Sequence, residues 1–92
     1  MFKSLKIIIS GKVAFLEYAN FLANKAIILE IQGSVQRFDQ NKLLVYATGD
    51  ADKVESFIDA LYVYDKSSEI DDIDIKPLDE NKDFRGVFRI IQ

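Results

Sequence analysis

The chain has 92 residues, 49% of them hydrophobic, which suits one domain spanning 1–92 that buries roughly 60–65% of its unfolded surface without a staple. It contains neither cysteine nor histidine, which excludes disulfides, thiolate or imidazole metal sites, Cys and His nucleophiles and the usual neutral-pH general base. Twelve Lys and Arg against 15 Asp and Glu leave a net charge of −3, too weak a field to draw in nucleic acid or an anionic membrane.

The start, Met1-Phe2-Lys3-Ser4, lacks the long apolar region of a secretory signal, and no uncharged run approaches the ~20 residues of a membrane span. The expected location is cytoplasmic, with neither nucleic acid nor membrane as partner. Leu5 to Ser10, centred on Ile7-Ile8-Ile9, is short and β-branched and predicts a central strand. From Leu16 to Leu29 the apolar residues Leu16, Tyr18, Phe21, Leu22, Ala26 and Leu29 recur at three- and four-residue spacing, with Glu17, Asn20, Asn24 and Lys25 opposite; this predicts an amphipathic helix. Gly33 to Phe38 and Lys42 to Thr48 predict a hairpin closed by Asp39-Gln40-Asn41, with Asn41 tolerant of positive φ.

Gly49-Asp50-Ala51-Asp52 predicts the start of a second helix with Asp50 as N-cap and Asp52 in the first turn; Val54, Phe57, Ile58 and Leu61 supply its core stripe. In Glu69 to Lys76, Ile73 and Ile75 fall on one face and Asp72, Asp74 and Lys76 on the other, the pattern of an edge strand that Pro77 should end. A polar loop, Asp79 to Asp83, leads to a last strand predicted over Phe84–Ile90. The order strand, helix, hairpin, helix, strand is that of an α+β ferredoxin-like (split βαβ) sandwich. It implies an antiparallel or mixed sheet of four to five strands with two helices on one face.

The run Gly11-Lys12-Val13, then Lys25-Ala26, Gly33-x-Val35, Leu43 to Gly49 and Val54-x-x-Phe57-x-x-x-Leu61 resembles the acylphosphatases over nearly the whole chain. The resemblance implies a small α/β enzyme that hydrolyses acyl phosphates without metal or cofactor. In that family a Gly-Arg-Val-Gln-Gly-Val-Gly-Phe-Arg turn wraps backbone N–H groups around the phosphate and its last Arg clamps it. A later Asn, in Gly-Trp-Val-x-Asn, orients the attacking water. Aligned on this chain, Gln-Gly-Val-Gly-Phe falls on Ala14, Phe15, Leu16, Glu17 and Tyr18, the clamp on Ala19 and the water-orienting Asn on Arg37. The resemblance therefore implies a degenerate member with no catalytic residues at the family positions. Glu30 stands where the family has a helix-ending glycine.

A cradle of converging N–H groups usually needs positive φ, where each Cβ costs roughly 1–2 kcal/mol, so Phe15 and Glu17 fit it poorly. Glu17 near the positive end of the helix would also repel phosphate and fill the turn from within. Val13 to Leu16 is expected to pack in the core. Lys12 and Arg37 are candidate anion contacts, Arg37 being otherwise a solvated or ion-paired surface residue. Glu69, Asp71, Asp72 and Asp74 lack the spacing of a calcium loop, so no metal and no cofactor are expected. Tyr62 and Tyr64 are candidates for a contact surface or for helix-end packing.

These readings leave three functions open. The first is an acylphosphatase-like domain without hydrolysis, a pseudoenzyme serving as a binding module for an unknown protein or small molecule. The second is an acyl phosphate hydrolase whose phosphate contacts have moved to Arg37, Lys12 or Lys25, and the third is a small-molecule sensor. A monomer or weak homodimer is expected, the candidate interaction edge being the last strand with Phe84, Val87 and Phe88, guarded only by Arg85 and Arg89.

Overall fold

The computed structural model describes residues 1–64, 69–78 and 84–92. The elements run β1 (Phe2–Gly11), α1 (Phe15–Ile28), β2 (Gln32–Asp39), β3 (Lys42–Asp50), α2 (Ala51–Tyr62), β4 (Ile70–Pro77) and β5 (Phe88–Ile91). They build a five-stranded sheet in the order β4-β1-β3-β2-β5, antiparallel except for the parallel β2–β5 pair. This is the expected α+β ferredoxin-like fold. Alternation along the strands sends Leu5, Ile7 and Ile9 of β1, Val35 of β2 and Leu43, Val45 and Ala47 of β3 into one core. Tyr18, Ala19, Leu22 and Ala26 of α1 and Val54, Phe57 and Leu61 of α2 complete it. Ile73 and Ile75 of β4 pack against its margin as the alternation predicts.

Two glycines are fixed by close backbone approach. A Cβ on Gly11 would overlap the Glu69 carbonyl, and one on Gly33 the carbonyl of Tyr46. Both also sit at positive φ, +150° and +155°, so a side chain there would be strained as well as crowded.

Several expectations are corrected. The ladder does not end before Pro77: Leu5 pairs with Pro77, and the Leu78 N–H donates to the Ser4 carbonyl at 2.9 Å. On an edge strand the proline can turn its missing N–H away from the neighbour, which is why it is tolerated. Asn41 lies in the hairpin turn but not at positive φ, and its carbonyl accepts the Gly11 N–H at 2.8 Å. Asp50 is the N-cap of α2 without a side-chain capping bond; its carboxylate instead lies 3.4 Å from the amino group of Met1.

The last strand is shorter than predicted. Phe84-Arg85-Gly86-Val87 forms a turn, with Arg85 and Gly86 at φ +56° and +74° and the Val87 N–H donating to the Phe84 carbonyl at 3.2 Å. Asp79–Asp83, expected as a polar loop, lies outside the described residues. Among the described residues no helix is long and apolar enough to cross a membrane.

The end of α1 answers for Glu30. With Leu29 as C-cap, Glu30 adopts φ +58°, its N–H donates to the Ile27 carbonyl at 3.2 Å, and the Ile31 N–H reaches the Ala26 carbonyl at 2.8 Å. That is the Schellman pattern, usually closed by glycine, here closed by a glutamate.

Candidate functional site

The turn from Gly11 to Tyr18 lies where β1 leaves the sheet and α1 begins. Its first N–H groups serve the fold, Gly11 donating to Asn41 and the Lys12 N–H to the Glu69 carbonyl at 3.0 Å. The helix then starts at Phe15 behind Ala14, which offers no side-chain cap, and the Tyr18 N–H donates to the Ala14 carbonyl at 3.0 Å. Phe15 and Glu17 thus occupy the first helical turn. Among the described non-glycine residues only Glu30 and Arg85 have positive φ, so neither Phe15 nor Glu17 adopts the backbone that a cradle usually needs.

What fills the turn is an aromatic ring under a guanidinium. Phe15 is only 8% exposed and belongs to the core, and the Arg37 Cζ lies 5.1 Å from its ring centroid. Arg37 shares the helix-facing side of β2 with Val35, two residues away, which aims it at the start of α1. At this distance the guanidinium is held by the ring quadrupole. Arg37 is an exposed surface residue, as expected, and in addition lies over the Phe15 ring.

The rest of the turn divides sharply. Ala19 and Tyr18 are fully buried, whereas Leu16 is 51% exposed, so only Val13 and Phe15 of the run Val13–Leu16 pack inward. The Tyr18 hydroxyl donates to the Leu61 carbonyl at 3.3 Å, tying α1 to the end of α2. Burial, reinforced by Tyr64 and then Tyr62, pushes its phenol well above the ordinary tyrosine range. Its ring meets that of Tyr64 at 4.8 Å, and Tyr64 meets Phe21 at 4.9 Å. Tyr64 is thus helix-end packing, while Tyr62 stands 55% exposed.

The family model for acylphosphatases matches residues 5–90, from β1 to β5. The chain belongs to the acylphosphatase family. The acylphosphatase of Bacillus subtilis superimposes with a TM-score of 0.86 at 22% identity, each chain covered in full. That of Coxiella burnetii gives 0.84 at 18% identity, over 98% of this chain and 93% of its own. HypF of T. kodakarensis gives 0.81 at 21% identity, over 98% of this chain but 12% of HypF. At such identities these likenesses establish the shared fold. No curated protein matches the sequence.

Within this acylphosphatase fold the cations singled out in the sequence do not converge. Arg37 rests on Phe15, and the Lys25 ammonium lies 5.8 Å from the centroid of Phe21. Lys25 is ten residues along α1 from Phe15, about 15 Å at the helical rise. Lys12 is exposed beside the turn, and so is Glu17, the acidic residue of the first helical turn. The candidate edge is dispersed as well. Phe84 sits in the turn before β5 with its ring 6.0 Å from Tyr46, Val87 precedes the strand, and Phe88 turns inward to Phe57 at 5.8 Å. The stacking of Arg37 on Phe15 escaped the sequence reading, because the two residues are 22 positions apart and meet only through the packing of α1 on β2.

Proposed function

We propose that this acylphosphatase-family domain does not hydrolyse acyl phosphates and works as a binding module for a protein or small molecule. The observation that carries this is the Arg37–Phe15 stack at the mouth of the turn. A phosphate seated there must lift a buried aromatic ring from the core, and truncation of such rings costs about 3–5 kcal/mol. A charge-assisted bond to one arginine returns only about 1.5–3 kcal/mol. Ala19, aligned with the family's clamp, is fully buried and brings no donor. Oriented donors and a positioned water supply most of the acceleration in reactions of this kind, and neither Phe15 nor Arg37 replaces them in role.

The test is an acyl phosphate hydrolysis assay with benzoyl phosphate, paired with amide chemical shifts of Phe15 to Ala19 on addition of millimolar inorganic phosphate. Background turnover and unmoved shifts are expected. Saturable turnover abolished by Arg37→Ala or Lys12→Ala overturns the reading in favour of relocated catalytic residues.

A further inference from the structure

The sheet face turned away from the helices carries a second cluster of chemistry, remote from the turn at Phe15. Ser34, Phe84, Arg85, Arg89 and Ile91 line a cavity of about 380 Å³ there. That volume falls within the roughly 300–1,000 Å³ typical of small-molecule sites. Ser34 forms the floor, 5% exposed, and is in register with Arg89 across the parallel β2–β5 pair. Phe84 forms a wall, backed by Tyr46 at 6.0 Å with a 34° tilt between the rings.

The loop that brings Arg85 to this cavity is held in an unfavourable conformation. Arg85 has φ +56°, a region that costs a non-glycine residue roughly 1–2 kcal/mol, next to Gly86, which has no such cost. The turn is fastened by the Gln32 Oε1, which accepts the Gly86 N–H at 2.9 Å. Strain of this kind persists where surrounding structure over-determines it, and it clusters at ligand sites. The placement also runs against the chain's overall charge. In a protein of net charge −3, two arginines line one cavity beside a serine and an aromatic wall.

We propose that this cavity binds a small organic phosphate carrying a planar ring, of the mononucleotide class. The Arg89 guanidinium takes the phosphate, the Ser34 hydroxyl supplies a further hydrogen bond, and Phe84 stacks on the ring. This goes beyond the loss of hydrolysis at Phe15 and does not depend on it. The two sites lie on opposite faces of the sheet.

The test is titration of the isotopically labelled protein with AMP, adenosine and inorganic phosphate, following the amides of Ser34, Gly86 and Arg89. AMP is expected to shift all three saturably, adenosine and phosphate each at least tenfold more weakly. Arg89→Gln is expected to weaken AMP about tenfold. Lys6→Gln, on β1 and three strands away, should leave it unchanged, and Phe84→Leu should remove the preference for AMP over phosphate. Three results overturn the proposal: no saturable shift with AMP; equal affinity for AMP and phosphate in the unmodified protein; or tight binding of a single-stranded oligonucleotide that Lys6→Gln and Lys76→Gln both weaken. The last would mean an extended polyanion surface. Turnover of benzoyl phosphate bears only on the turn at Phe15, so the two readings fail separately.

Discussion

The Arg37 guanidinium stacks on Phe15 with its central carbon 5.1 Å from the ring centroid, joining the end of β2 to the first turn of α1. Two residues 22 positions apart in sequence thus close one end of the domain. In a double-mutant cycle by urea denaturation, Phe15→Ala should cost about 3–5 kcal/mol, as expected of a buried ring. Arg37→Ala should cost about 0.5–1 kcal/mol, and the coupling between them should be of that size. Phe15→Leu, which keeps bulk but removes the ring, should abolish most of the coupling. Additive single mutants would mean that the contact carries no energy.

Glu30 combines a left-handed backbone with an ion pair to Lys53 on α2. Glu30→Gly is expected to raise the melting temperature by about 4–8 °C, because glycine takes positive φ without cost. The exposed pair it sacrifices offsets little. Glu30→Gln, which keeps the strain and removes the charge, should not raise it. The hydrogen bond from Lys53 holds the Glu30 carboxyl below its ordinary range and raises the Lys53 ammonium. The glutamate's contribution is therefore complete above the unfolded carboxylate range and lost as pH falls through the lowered value. The lysine's is complete below the unfolded ammonium range and lost as pH rises through the raised one. Lys53→Met should flatten both flanks of the stability profile; an unchanged profile refutes the pairing in solution.

Tyr18 should be the last of the four tyrosines to ionise, because its phenol is buried and donates to the Leu61 carbonyl. Folding favours its neutral form, so this contribution is intact below the ordinary tyrosine range and declines as pH rises above it. Tyr18→Phe should cost about 0.5–1.5 kcal/mol, the range of one net hydrogen bond, and remove the late step from an ultraviolet pH titration. Four tyrosines ionising together would contradict the burial.

The fold was legible because its signals are periodic. Ile7 and Ile9, the α1 spacing around Tyr18 and Leu22, and Val54, Phe57 and Leu61 each specify a buried face by pattern alone. What escaped were features decided by partners distant in sequence. β4 is the edge expected from its charges, but that Pro77 stays in the ladder opposite Leu5 is decided by the register with β1. The Phe84–Val87 turn depends on Gln32, 54 residues from Gly86. At the candidate site, the absence of glycine at Phe15 and Glu17 was plain, and both residues lie in the first turn of α1, which starts at Phe15. Arg37 lies 22 residues from the ring that holds it, and no local rule joins them.

Association, if it occurs, should use β5 rather than β4. Both are edges, but β4 carries Asp71, Asp72, Asp74 and Lys76 and ends in Pro77, all of which discourage pairing. Val87, just before β5, and Ile91, its last residue, are 42% and 44% exposed. Val87→Lys should therefore weaken any concentration-dependent dimer in sedimentation equilibrium, while Asp74→Lys should not. The reverse outcome would place the interface at β4.

Restoring the family's residues one at a time should not restore turnover. Ala19 is fully buried, so Ala19→Arg forces a charged side chain into a packed core and should destabilise the domain by several kcal/mol, by the scale of overpacking plus an unpaired charge. Phe15→Gly empties the ring's place and frees Arg37, yet supplies no clamp and no positioned water. Arg37→Asn removes the guanidinium that caps the ring but leaves the ring in the way. Only the combination of Phe15→Gly, Glu17→Gly, Ala19→Arg and Arg37→Asn clears the turn, loosens the start of α1 and supplies both donor and water-orienting amide, the coupling expected of residues that act as a unit. Benzoyl phosphate hydrolysis should stay at background in every single variant and rise only in the quadruple one, provided that its circular dichroism shows a folded domain. Turnover in Arg37→Asn alone would show that Phe15, Glu17 and Ala19 do not bar hydrolysis.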